Sequence, residues 1–215
     1  MEMAEVEKSK KTRKKKWFTI TTDGLFNNAV MGDSLVYSAQ DLNGRVIEAN
    51  LMTLTNDMKQ QNINVRLKIS EINGDTAISK LISYEMMPSS IKRLVRKEVE
   101  RIDASFVVLS KDGIKLRIKP IVVTKVSTTK SKSKRIRRMA IEFIVDFTSK
   151  ITYDEFCRAV IGRGLSAQLR NYLKKVFPLK ACEIRSFAIT TYGTPLTLSG
   201  GLEAPEQKKE APVEA

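Results

Sequence analysis

An α+β domain is the architecture this sequence predicts: a mixed, mostly antiparallel, β-barrel-like sheet with about four packed helices and flexible charged tails. Three observations carry that expectation. Segments of alternating apolar and polar residues recur along the chain, glycine-containing turns join them into hairpins, and stretches of helical period interrupt them without any internal repeat. The composition agrees, since 42% hydrophobic and 29% charged residues over 215 positions describe a folded chain.

Residues 1–16 are polar and basic with little to bury, so they are assigned to a tail that orders on a partner. Residues 17–192 are assigned to one folded domain. It begins at WFTITT, whose composition forms strands, with Trp17 expected to anchor the first strand to the core. DSLVYSA and RVIEANLMTLT continue in strand character around the turn Asp41–Gly44. NVRLKIS places Val65, Leu67 and Ile69 on one face and Arg66 and Lys68 on the other. Asn73–Gly74 then supplies the positive φ of a tight hairpin into TAISKLISY. A second hairpin joins ASFVVLS to GIKLRIKPIVV through Lys111–Gly113, with Pro120 at an edge or bulge because it has no N–H to donate.

Helical period appears first in SSIKRLVRKEVERI, which puts Ile91, Leu94, Val95, Val99 and Ile102 on one face. A second helix is expected from RIRRMAIEFIVDFTSK, opening at Arg135. Thr152 caps a third, with Asp154 and Glu155 in its first turn as the dipole favours. Ser166 opens a fourth, which turns Leu169, Tyr172, Leu173 and Val176 inward and ends before Pro178. CEIRSFAIT reads as a last strand, and residues 193–215 as a low-complexity, slightly acidic tail.

The charge is unevenly spread. Seven bases and no acid lie between Lys8 and Lys16 (Lys8, Lys10, Lys11, Arg13, Lys14, Lys15 and Lys16). Seven more lie between Lys125 and Arg138, again without an acid (Lys125, Lys130, Lys132, Lys134, Arg135, Arg137 and Arg138). Of 38 bases these two segments hold fourteen, which leaves 24 against 24 acids, so they account for the whole net charge of +14. A balanced body with two cationic segments points to a polyanionic partner, since lysines and arginines that neutralise phosphates release condensed counterions. Arg135, Arg137 and Arg138 at a helix start are locally unfavourable against the dipole, and a phosphate lodged there reverses the sign. Trp17 is a candidate to stack on a base, and Arg163, Lys174 and Lys175 are additional candidate RNA contacts. The first basic run also has the composition of a nuclear localisation signal.

Other chemistry finds little support. There is no histidine, and Cys157 and Cys182 lack the spacing of a zinc module or disulfide framework, so two buried thiols in a reducing compartment are expected. Glu142 and Asp146 lie one helical turn apart, as a magnesium-dependent nuclease could use them, but helix surfaces commonly carry such acids. The IGRG of residues 161–164 follows a helix and lacks a third glycine, which makes it a helix–helix turn rather than a nucleotide loop. No catalytic residue, metal ligand, cofactor, small-molecule substrate or membrane partner is assigned. The N-terminus lacks an apolar leader, and an intracellular, soluble protein is expected.

Five stretches carry a family resemblance: KKKWFTI at 14–20, LNGRVIEANLMTLTND at 42–57, RIDASFVVLSKDGIKLRIK at 101–119, KRIRRMAIEF at 134–143 and LKKVFPLKACEIRS at 173–186. In this order they resemble the archaeal and eukaryotic small-subunit ribosomal protein family usually called "three-A-e". The sequence departs from the family's pattern at Thr21–Thr22–Asp23–Gly24, where an alanine–proline pair is usual, and at Met31–Gly32–Asp33–Ser34. The resemblance implies a non-enzymatic constituent of the small ribosomal subunit in the cytoplasm, on the platform where messenger RNA leaves. Its implied partners are small-subunit rRNA, neighbouring small-subunit proteins and messenger RNA near the exit. It also implies a barrel-like core with basic tails. A free-standing nucleic-acid-binding accessory protein, of chromatin or of RNA processing, is the alternative that the charge pattern alone leaves open.

Overall fold

The computed structural model describes residues 14–193, 195 and 196. Of the expected tails at 1–16 and 193–215, residues 1–13, 194 and 197–215 lie outside the described residues. The described chain is α+β, with nine strands, five α-helices and three short 3-10 turns, and it divides into two compact units.

The first unit takes residues up to Lys97 together with Ile184–Ala188. Its strands are β1 (Lys16–Thr22), β2 (Val30–Val36), β3 (Val46–Asn50), β4 (Ile63–Asn73) and β5 (Thr76–Met86). β1 runs antiparallel to β2 and parallel to β5, while β5 pairs antiparallel with β4 and β4 with β3. Residues Ser186–Ala188 of β9 (Leu179–Ile189) add to β5 opposite Ser83–Glu85, where the rings of Tyr84 and Phe187 stack 5.3 Å apart. The sheet is mixed and open, with β2 and β3 each paired on one side among the described residues. The barrel-like closure expected from the sequence is therefore not what the pairing gives. β2 is mostly exposed and β3 is only five residues long, so both behave as edges.

The β4–β5 hairpin forms as its alternation predicts. Val65, Leu67 and Ile69 are fully buried, Asn73 pairs with Thr76, and Gly74 takes φ +61°, which an L side chain adopts only with strain. Phe18, Ile20, Val36, Leu42, Ile69 and Ala77 pack as one apolar cluster beneath the sheet. RVIEANLMTLT is not one strand, however. It breaks at Asn50, whose side chain accepts from Met52 N and caps α1 (Leu51–Thr55). The expected helix from Ser89 to Ile102 shortens to α2 (Pro88–Leu94), because the backbone turns extended at its C-cap Val95 (φ −90°, ψ 121°), Glu98 then sits at φ +66°, and Arg101–Asp103 become β6. The apolar spacing satisfied a helix, but the backbone leaves the helical region at Val95 and does not return to it at Glu98.

The second unit takes Glu98–Glu183 and the residues from Ile189. β8 (Lys115–Thr124) pairs with β7 (Phe106–Leu109) along its first half and with β6 along its second. Pro120 falls between the two ladders, where no N–H is required of it. The Lys111–Gly113 turn also serves the helices. Ser110 Oγ and Lys111 N donate to Ile151 O at 2.9 and 3.2 Å, and Tyr153 N donates to Asp112 Oδ2 at 2.7 Å. These bonds fix the junction between α3 (Lys130–Lys150) and α4 (Tyr153–Ile161), where Thr152 and Glu155 form the capping box. α5 (Gly164–Leu173) buries Leu165, Leu169 and Leu173, while Tyr172 stays at the surface against Phe143, ring centroids 5.2 Å apart.

Candidate nucleic-acid interface

The second basic segment is not a loop running into a helix at Arg135; from Lys130 onward it is the first half of α3. The helix starts at Lys130 because Ser133, Ile136, Ala140, Ile144 and Thr148 form one buried stripe at three- and four-residue spacing. Lysine and arginine are good helix formers and carry the remaining positions. With 3.6 residues per turn, Lys134, Arg135 and Arg138 stand on the face opposite that stripe, and Lys130, Lys132 and Arg137 flank it. All six are exposed. The first turn contains no acid, so cationic side chains and the positive end of the helix dipole add. Lys132 Nζ lies 5.7 Å from the centre of the Phe177 ring, which leans this lysine toward the segment after α5.

A groove in the same unit gathers bases from three places in the sequence. Lys125 N donates to Pro178 O at 3.1 Å, bringing the end of β8 beside the segment that follows α5. Lys125, Arg170, Lys174, Lys175 and Lys180 then line a groove of about 710 Å³ together with Pro178 and Leu179. No acid lines it. Five cations sharing one concavity repel one another, and a bound polyanion removes that cost. Of these, Lys125, Lys174 and Lys175 are sequence candidates. Arg170 and Lys180 were not singled out; the available signals were the outward position of Arg170 on α5 and the outward alternation of Lys180 at the start of β9. Arg163 is exposed at the α4–α5 turn with φ +58°, and it is not among the groove's residues.

The first basic segment enters the described structure at Lys14, Lys15 and Lys16, all exposed at the start of β1 in the first unit. Lys8, Lys10, Lys11 and Arg13 lie outside the described residues. Trp17 corrects an expectation. It does not anchor β1 to the core but is 66% exposed, and Phe18, at 4%, takes the buried place. The strand alternation decides it, because Phe18, Ile20 and Thr22 point inward and Trp17 points out.

Cys157 and Cys182 are buried free thiols, as the sequence suggested, and burial pushes both up to about 12, so they stay protonated and unreactive. Glu142 is exposed on α3 and Asp146 is half-buried. Among the described residues no group of three or more acidic or cysteine side chains is placed to hold a metal ion. No helix there is long and apolar enough to cross a membrane.

The cationic half of α3 and the acid-free groove define a class: an α+β protein that presents fixed, exposed cations to a polyanion. Comparison with known proteins narrows it. Residues 4–192 match the model of the Ribosomal S3Ae family. The chain is 30% identical over 183 residues to the small ribosomal subunit protein eS1 of Haloarcula marismortui, covering 85% of this chain and 86% of that protein. It is 32% identical over 182 residues to the eS1 protein of Methanothrix thermoacetophila, with the same coverage. It is also 29% identical over 174 residues to that of Saccharolobus islandicus, covering 81% of this chain and 84% of that protein. The chain belongs to the Ribosomal S3Ae family.

Proposed function

We propose that this protein holds rRNA on the platform of the small ribosomal subunit, near where messenger RNA leaves, through two cationic surfaces on an otherwise charge-balanced body. As a member of its family it is a structural constituent of the small subunit, part of the translating ribosome in the cytoplasm, and not an enzyme. Its partners are rRNA and neighbouring ribosomal proteins, with messenger RNA close by at the exit.

One surface is the outer face of α3 with the groove beside it: Lys130, Lys132, Lys134, Arg135, Arg137 and Arg138 on the helix, and Lys125, Lys174 and Lys175 in the groove. Arg163 adds a contact at the α4–α5 turn. The other surface is the arm Lys8–Lys16, of which Lys14–Lys16 are described. Contacts of this kind position a protein along the backbone without reading bases, so RNA shape supplies the specificity. The observation that carries this reading is the acid-free set of six exposed cations on the first half of α3, whose electrostatic repulsion requires counter-charge in the assembled state.

A directed cleavage experiment tests it. Because Cys157 and Cys182 are buried, a single Lys134→Cys substitution gives one accessible thiol for a hydroxyl-radical tether. In reconstituted small subunits the tether is expected to cut rRNA strands of the platform. Cuts confined to another part of the subunit would displace the site. A chain that fails to co-sediment with small subunits in magnesium would favour a free-standing accessory factor instead.

A further inference from the structure

The outer face of β1 and β2 is left uncovered by the fold. Trp17 pairs with Leu35 across the antiparallel ladder, so the two side chains share a face; Trp17 is 66% exposed and Leu35 41%. Tyr37, just past the end of β2, is 48% exposed, and Lys15 Nζ stands 5.1 Å over its ring. Aromatic side chains of this size normally contribute to a core, and here Phe18 already does so. A solvent-facing tryptophan and tyrosine, with a lysine ammonium standing over the tyrosine ring, therefore call for a partner that is both flat and anionic.

We infer that this face takes unpaired nucleobases of single-stranded RNA, stacked on Trp17 and Tyr37, with Lys15, which stands over the Tyr37 ring, on an adjoining phosphate. The inference rests on the rRNA-binding reading above and adds what it lacks, a contact to bases rather than to backbone. Aromatic platforms flanked by cations suit single strands because every base has a π face, whereas in a duplex those faces are buried against neighbouring pairs. An apolar protein partner would serve as well for the apolar area but not for Lys15, which the basic run Lys14–Lys16 leaves without an acidic neighbour in sequence. Asp33, opposite Thr19 on the same face, repels phosphate and bounds the platform on its far side. A bound strand therefore runs over the lysine end of β1.

Trp17 is the only tryptophan in the chain, so emission excited selectively from tryptophan, above the tyrosine absorption band, reports on this face alone. The full chain is titrated with a single-stranded oligouridylate and, at the same salt, with duplex RNA of equal length; binding is followed separately by anisotropy of end-labelled RNA. Saturable quenching by the single strand, and little by the duplex, is expected. Trp17→Ala should lower single-strand affinity on the order of tenfold more than duplex affinity. Trp17→Tyr should recover most of that loss, and the melting temperature of both variants should hold because the side chain is exposed. Single-strand binding that leaves the emission unchanged, with Trp17→Ala binding as the wild type does, overturns the inference while leaving the backbone contacts standing. Failure of the full chain to bind either RNA at low salt overturns both.

Discussion

Lys14–Lys16 and Lys130–Arg138 are both acid-free cationic stretches, yet one opens a strand and the other fills half a helix. A helix rises about 1.5 Å per residue, so the six bases of α3 lie within about 12 Å along one rod. A strand spreads residues by about 3.3 Å and sends successive side chains to opposite faces. That alternation separates Lys15 and Trp17 from Lys16 and Phe18 at the start of β1. The same charge thus produces a dense, prearranged phosphate comb in one unit and a mixed cationic and aromatic face in the other. The difference lies in the scaffold rather than in the residue type.

Breaking the helical comb should have the largest consequence. Substituting Arg135, Arg137 and Arg138 with alanine is expected to weaken RNA binding almost equally across sequences. It should also reduce the salt dependence by roughly 0.7–0.9 log units per lost contact, about 2 to 3 units for the three arginines. Neutralising Lys14, Lys15 and Lys16 should flatten the slope less, because their side chains diverge. An unchanged slope in the arginine variant would deny α3 its phosphate contacts.

Presentation can be separated from charge at Ser133. Ser133 N donates to Thr129 O at 3.0 Å, and a proline there both removes that bond and crowds the carbonyl. Ser133→Pro, which keeps every base, is expected to cost about 3 kcal/mol or more in denaturant unfolding if the helix persists, or to free its first turn. RNA affinity should fall in either case. Ser133→Ala should act oppositely. The hydroxyl is buried without a hydrogen-bond partner among the described residues, and alanine favours the helix, so a gain of up to about 1 kcal/mol is expected.

The smallest effect concerns pH. Cys157 and Cys182 ionise near 9 when unfolded but only near 12 when folded, because burial disfavours the thiolate; burial pushes the Tyr153 hydroxyl in the same direction. The folded state therefore holds its protons longer. This stability is complete below pH 9 and is lost as pH rises from 9 toward 12. Replacing both cysteines with alanine should make the decline of the melting temperature over that window shallower.

Much of this was legible in the sequence, for reasons that also explain the misses. The β4–β5 and β7–β8 hairpins and the Thr152 cap are set by local turn and cap chemistry, so residues close in the chain declared them. The start of α3 was hidden because a serine, not an apolar residue, occupies the buried stripe at 133. α2 was overextended because the extended backbone at Val95 and the positive φ at Glu98 leave no trace in apolar spacing. Trp17 misled because large aromatics are usually buried, and the second face of β1 proved open. The groove could not be read at all. Lys125 and Arg170 are brought together by the Lys125–Pro178 hydrogen bond, a tertiary fact that neither segment encodes alone.

The central claim is that the surplus cations are neutralised by RNA in the assembled particle. Lysine-specific acetylation, quantified residue by residue in the free chain and in intact small subunits, tests it most directly. Lys125, Lys130, Lys132, Lys134, Lys174 and Lys175, all exposed in the isolated fold, should react freely in the first sample and be strongly protected in the second. Equal reactivity of these six lysines in both samples would contradict the account.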